Sequence, residues 1–327
     1  MPGTLLLKQS DIKNLIKMEK VINAVEIAFK AFSLRDVQIP PKEYLFFNDG
    51  DLRIMPCYVQ SREEAGVKSV SVHPQNPLKQ KLPTVMAIIE MIDPQTGFPL
   101  AVMDGTLITD IRTGAAAGVA TKYLAKPDSK VLGIIGAGKQ ACTQLTALNE
   151  VMNIQEVRIF CRASSTRTKF AKIASETYNF DMKAVNTPEI AVKNADVVVT
   201  TTPSRKPLIN AEWISPGTHI NAMGADAPGK QELEPKLLLK SKIIIDSWVQ
   251  ARHSGEINVP LAQKILKQKD IHAKLGDVIV GKVAGREGDE ITIFDSTGLA
   301  VQDIVTAGMI YKQARKKGLG TEFNFMQ

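Results

Sequence analysis

The residues best suited to chemistry in this chain begin with a glycine turn. Val131-Leu-Gly-Ile-Ile-Gly-Ala-Gly-Lys-Gln-Ala reads as a β-branched strand, a tight turn and the start of a helix. Gly136 permits the turn, Gly138 lets the backbone approach a pyrophosphate, and Ala141 allows close helix–strand packing. A helix N-terminus then offers free N–H groups and partial positive charge to the phosphates. A lone G-x-G-x-x-A is weak, since an ordinary glycine turn in another α/β protein looks the same. Its place inside a run of strand–helix units is what makes it a dinucleotide site.

The choice of dinucleotide is read at the end of the next strand. Cys161 lies 23 residues after Gly138 (161 − 138), where an acid would hold a ribose 2′-hydroxyl. The chain instead has Cys161-Arg162-Ala-Ser-Ser-Thr-Arg, and a guanidinium suits a 2′-phosphate. NADP is therefore favoured over NAD, the alternative being an Arg162 that is merely solvated.

The elements that must position these residues fall into two styles. Ser10-Asp11 looks like a helix cap, followed by apolar residues at helical spacing from Val21 through Ser33. From Tyr44 to Met103 short strands alternate with the turns Asn48-Asp-Gly and Asp93-Pro-Gln-Thr-Gly, which predicts an antiparallel sheet. From Lys130 the pattern becomes strand–helix–strand: strands at 130–135, 156–161, 182–185, 196–201, 218–223 and 242–246, with helices at 139–151 and 166–178. This predicts a Rossmann-type, doubly wound parallel sheet beside an α+β domain. A last helix at 301–317 is expected to pack back on the N-terminal part, making that domain discontinuous.

Composition excludes several classes. With 44% hydrophobic and 23% charged residues the chain is globular rather than disordered. Its apolar runs are strand-length, so no membrane span is expected, and the N-terminus lacks a signal-peptide core; a cytoplasmic location follows by default. The net charge of +7 is spread along the chain without interleaved aromatics, which argues for anionic small molecules and against nucleic acid. Three scattered cysteines and four dispersed histidines give neither a disulfide framework nor a metal site.

Six motifs go further. Leu52-Arg-Ile-Met-Pro, Gly66-Val-Lys-Ser-Val, Thr109-Asp-Ile-Arg-Thr-Gly-Ala-Ala-Ala, Gly133-Ile-Ile-Gly-Ala-Gly-Lys-Gln-Ala, Asn221-Ala-Met-Gly-Ala-Asp-Ala-Pro-Gly-Lys-Gln-Glu-Leu and Asp295-Ser-Thr-Gly-Leu-Ala-Val-Gln-Asp occur in this order. By them the chain resembles the ornithine cyclodeaminase/mu-crystallin family over essentially its full length. The resemblance implies a homodimer, with a dimerisation and substrate-binding domain at 1–118 plus 303–327 and a Rossmann domain at 119–302. It puts catalytic roles on Lys68 and Asp226. Arg53, Lys68, Arg112 and Thr297 fall at substrate- or phosphate-contacting positions, and Thr84, Arg112, Thr113, Lys139, Gln140, Thr202, Asn221, Met223, Lys230 and Ser296 at cofactor positions. Together with Gly136, Gly138, Cys161 and Arg162 these form the expected site.

Within that family an arginine at 53 suits a substrate carboxylate, as in the archaeal-type alanine dehydrogenases, whereas ornithine cyclisers carry an acid there. A carboxylate at 226 can take a proton from attacking water, and Lys68 can hold the substrate carboxylate or a developing carbinolamine oxygen. The expected reaction is NAD(P)-dependent, reversible deamination of a small amino acid to its 2-oxo acid, most of all alanine to pyruvate. The alternatives are ornithine cyclodeamination, ketimine reduction and a non-catalytic ligand-binding role. Each residue also has a plainer reading. Lys68 would alternate onto the polar face of its strand, Asp226 would bond its own turn, Arg53 would be an exposed pairing residue, and Arg112, set just before an alanine-rich helix, would make an interdomain salt bridge.

Overall fold

The computed structural model describes residues 3–325, and the chain divides into two compact units. One runs to Arg112 and resumes at Leu299; the other is Thr113–Gly298.

The first unit contains strands β1 (Thr4–Leu7), β2 (Val37–Gln38), β3 (Glu43–Phe47), β4 (Gly50–Val59), β5 (Glu64–Val72), β6 (Val85–Ile92) and β7 (Pro99–Asp104). The second contains β8 (Val131–Ile135), β9 (Glu156–Phe160), β10 (Asp181–Ala184), β11 (Val197–Thr200), β12 (His219–Ala222), β13 (Ser241–Ile245), β14 (Ile271–Lys274) and β15 (Ile291–Asp295). Strand β16 (Thr321–Phe323) returns to the first unit.

In the first unit the order is β16-β1-β7-β6-β5-β4-β2, with β3 also paired to β4. Pairing from β3 through β7 is antiparallel, as the turn signals predict. Residues facing one another across a ladder share a face, so Arg53, Met55 and Cys57 of β4 lie on the same side as Gly66, Lys68 and Val70 of β5. The Met18–Ser33 and Ala300–Lys317 helices pack together, and the latter lies against β4, β5 and β6. Ile304, Val305, Ala307, Ile310 and Ala314 of this last helix are buried, and Gly318 ends it in the left-handed conformation. The cap read at Ser10-Asp11 belongs to a separate short helix, Gln9–Lys13, in which Asp11 accepts the Lys8 N–H.

The second sheet is parallel throughout, in the order β10-β9-β8-β11-β12-β15-β13-β14. Its central strands β11 and β12 are buried on both faces, which is why Val197–Thr200 and His219–Ala222 read as uninterrupted runs rather than alternating ones. The order reverses at β8, so the crevice outside its carboxyl end is the place such sheets hold ligands. Strands β14 and β15 were not expected from the sequence, and β15 inserts out of chain order between β12 and β13. The Gly105–Leu124 helix was also read too short. It starts directly after β7 and runs 20 residues, so Arg112 lies within it rather than before a helix start.

Candidate active site

In the first unit the sheet places three cations on its helix-covered face. Lys68 and Arg53 sit diagonally on β5 and β4, and Arg112 projects from the Gly105–Leu124 helix. All are buried: Lys68 is 1% exposed, Arg53 and Arg112 6% each. The polar-face reading of Lys68 is thereby overturned, because the phase of β5 buries Lys68 and Gly66 and leaves Val67 and Ser69 on the other side. The exposed-pairing reading of Arg53 falls for the same reason.

Burying an ammonium is costly unless it is paired. Lys68 Nζ lies 2.7 Å from Asp303 Oδ2, and Arg112 Nε lies 2.9 Å from Asp303 Oδ1. Arg112 also donates to Gln302 Oε1 at 2.9 Å. Asp303 comes from the Ala300–Lys317 helix, so these pairs lie inside the first unit and the interdomain salt bridge expected for Arg112 is not what it makes. Burial drives the Lys68 pKa down to about 7, against the pull of Asp303 and with the help of Arg112 and Lys42. Its neighbour Cys57 is pushed the other way, to about 12, by burial and by Asp303. Arg53 donates from Nε and NH2 to the two oxygens of Asp51, at 2.7 and 3.2 Å, and its guanidinium lies 5.5 Å from the Tyr44 ring centre. Thr84, also in this unit, accepts the His73 N–H through its carbonyl.

The second unit carries the glycine turn. Gly136 has φ +110°, and a Cβ there would meet Thr201 Oγ1 at 2.5 Å. Gly138 is extended and caps the Lys139–Val151 helix, with Lys139 and Gln140 as its first residues. A Cβ on Gly138 would meet nothing within 4 Å, which leaves the helix N-terminus open to a phosphate. Ala141 is fully buried, as close packing requires. These features fit a dinucleotide. At the end of β9 the Cys161 thiol donates to the Ala163 carbonyl and Arg162 is exposed.

The other expected residues gather at the carboxyl ends of β11, β12 and β15. Thr202 follows β11, and Asn221 and Met223 lie in or just beyond β12. Asn221 Nδ2 donates to Thr121 Oγ1 at 2.9 Å, and its Oδ1 lies 3.2 Å from His219 Nε2. Burial and Arg286 hold His219 neutral, with a pKa of about 3. Asp226 is ion-paired with Lys230, both on the loop after β12. The Ser296 N–H donates to the Ala222 carbonyl at 3.1 Å. The Thr297 hydroxyl donates to Asp246 Oδ1 at 2.9 Å and so holds its own loop in place. The Thr113 carbonyl accepts from Gln144 at 3.2 Å.

Sequence reasoning gives no site role to Asp303 or Asp51, the two carboxylates paired with the first unit's buried cations. Asp303 had a signal, its place at the end of the Asp295–Asp303 motif; Asp51, adjoining the Leu52 motif, had one only as the partner two residues before Arg53.

The profile of the ornithine cyclodeaminase/mu-crystallin family matches residues 3–318. The chain belongs to this family. Alanine dehydrogenase of Archaeoglobus fulgidus is 48% identical over 325 residues, 99% of each chain. Among solved members, an archaeal alanine dehydrogenase dimer with bound NAD superposes with a TM-score of 0.95 at 49% identity, covering 99% of this chain and 100% of that one. The Δ1-pyrroline-2-carboxylate reductase of Thermococcus litoralis, solved with NADH and L-proline, gives 0.95 at 40% identity over 98% and 100%. The fold of this family, a Rossmann sheet with a second α/β unit, is the one expected from the sequence.

Proposed function

We propose that the protein is an NAD(P)-dependent amino-acid dehydrogenase, with L-alanine and pyruvate as its substrate pair. The observation that carries this is the buried cation set of the first unit, in which Asp303 bridges Lys68 and Arg112 on the face that also holds Arg53. Such a face suits a small carboxylate, and no acid stands at 53 to receive a second ammonium group. Identity of 48% to an alanine dehydrogenase supports the same substrate.

In this reading Arg53 exchanges its bond to Asp51 for the substrate carboxylate, which it can grip with two parallel N–H donors. A nicotinamide dinucleotide held at the Gly136 turn would supply the acceptor for hydride from the substrate α-carbon. Lys68 orients the carboxylate and the carbinolamine oxygen, and with a pKa of about 7 it can give or take a proton at neutral pH. Asp226, ion-paired with Lys230, takes the proton of the water that attacks the iminium carbon. Alanine, water and the oxidised dinucleotide thus become pyruvate, ammonium, the reduced dinucleotide and a proton.

The turn after β9 offers an exposed Arg162 and no carboxylate, which suits a 2′-phosphate, while the solved relatives hold NAD and NADH. A second reading, reduction of a cyclic 2-imino acid, is favoured by the likeness to the Thermococcus enzyme. Reductive amination of pyruvate with ammonia, run beside Δ1-pyrroline-2-carboxylate and with NADH and NADPH in parallel, tests all of this. Faster turnover of pyruvate plus ammonia is expected. Preference for the cyclic imine gives the second reading, and proline formed from ornithine without net change at the nicotinamide band gives cyclodeamination.

A further inference from the structure

The loop that carries Asp226 is held by a carboxylate to which the reaction assigns no part. Glu232 is fully buried. Its Oε1 accepts the Thr202 N–H at 2.7 Å and the Thr202 hydroxyl at 2.6 Å, and its Oε2 accepts the Gly224 N–H at 3.0 Å. Thr202 follows β11 and Gly224 follows the neighbouring β12, so one side chain ties together the carboxyl ends of two adjacent strands. There is no slack in this knot. A Cβ at Gly224 would lie 2.3 Å from Glu232 Oε2 and 2.3 Å from the Thr202 carbonyl oxygen.

Glu232 is anchored in turn. Glu256 accepts the Glu232 N–H at 2.9 Å and the Leu233 N–H at 2.6 Å, and Asp295 accepts the Glu256 and Ile257 N–H groups at 2.8 and 3.2 Å. Three buried carboxylates therefore run from the end of β15 to the loop two residues before Asp226, each gripping main-chain N–H groups near the next. A buried acid placed among apolar strands is expensive to keep. Spending three of them on backbone donors makes sense where a loop must be fixed rather than merely folded.

We propose that Glu232 is the positioning residue of Asp226, locking the Gly224–Asp226 segment to Thr202 so that the Asp226 carboxylate is held ready. This rests on the reading of Asp226 as the water-activating base.

Glu232→Gln tests it. The amide keeps one acceptor for Thr202 but turns an NH2 towards the Gly224 N–H, setting donor against donor. Hydrogen exchange followed by mass spectrometry needs no substrate. The variant is expected to exchange about tenfold faster in the segments holding Thr202 and Gly224–Asp226, with β8 and the Lys139–Val151 helix unchanged. Unaltered exchange there, or faster exchange everywhere, overturns the proposal.

A double-mutant cycle supplies the catalytic readout. Glu232→Gln should lower kcat about 10- to 100-fold in the parent protein, yet by under about twofold when Asp226→Asn is already present. Equal losses in both backgrounds mean that Glu232 serves the fold alone and sink the inference. Full activity in Asp226→Asn by itself refutes the role of Asp226 and the inference with it, before Glu232 is touched. Should Glu232→Gln fail to fold, Thr202→Val removes the hydroxyl's bonds to Glu232 and from the Ser204 N–H, keeps the Thr202 N–H bond to Glu232, and enters the same exchange measurement and cycle with the same two outcomes.

Discussion

At the scale of single residues, Lys68 decides how the chemistry depends on pH. Its pKa is lowered to about 7, so the folded protein releases this proton well before an ordinary lysine would. Below pH 7 the side chain is a cation; above it, a neutral amine able to accept a proton. Alanine oxidation should therefore rise with pH through a limb near 7, read from kcat between pH 5 and 9. Asp303 favours the charged form, so Asp303→Asn should move that limb to lower pH. Lys68→Arg, which cannot titrate here, should abolish the limb and lower kcat on the order of 10²–10⁴-fold. Arg53→Met removes a two-pronged charge contact and should raise KM for pyruvate about 10- to 100-fold, with a smaller change in kcat. The identity of these residues was legible from motifs, but their burial was not. Strand β5 hides Glu64, Gly66 and Lys68 while leaving Val67 half-exposed, which inverts the usual hydrophobic phase. For Lys68 the counterion is Asp303, contributed from the far end of the chain, and for Glu64 the partners are Arg62 and Lys312.

At the scale of elements, the glycine turn joins fold to function. Gly136 adopts φ +110°, a conformation costly for any residue with a Cβ, and its open side is closed off by Thr201. Gly136→Ala is thus expected to destabilise the protein by about 1–3 kcal/mol and to weaken NADH binding. Thermal melting and fluorescence titration would register both, and a variant unchanged in both would remove this turn from the site. Strands β8 to β13 and the Lys139–Val151 and Ser164–Thr177 helices were legible to within a few residues, because β-branched runs bounded by turns leave few alternatives; the Lys139–Val151 helix matches its expected range. The Gly105–Leu124 helix was not, for a physical reason. Ala115, Ala116, Ala117, Val119 and Ala120 are all buried, so it has no polar stripe to reveal a helical period. Strand β14, with no fully buried residue, gives no clean alternation either.

At the scale of the whole molecule, the first unit's sheet has one face covered by helices and another that is not. On the second, Leu45, Phe47 and Ile88 are 57%, 52% and 57% exposed, although a strand facing water ordinarily presents polar side chains. A relative of 49% identity is solved as a dimer, and a second copy of the chain would cover these residues. Light scattering should accordingly give twice the 35.7 kDa chain mass. Ile88→Asp would place a charge in the middle of that apolar surface, where dehydrating it costs several kcal/mol, and should shift the protein to the single-chain mass at micromolar concentration. Because Ile88 pairs with Ser69 and faces away from the side that holds Lys68, the variant should keep its fold. A single-chain mass for the parent protein would rule out the dimer, and an Ile88→Asp variant still at twice the chain mass would put the interface on another surface.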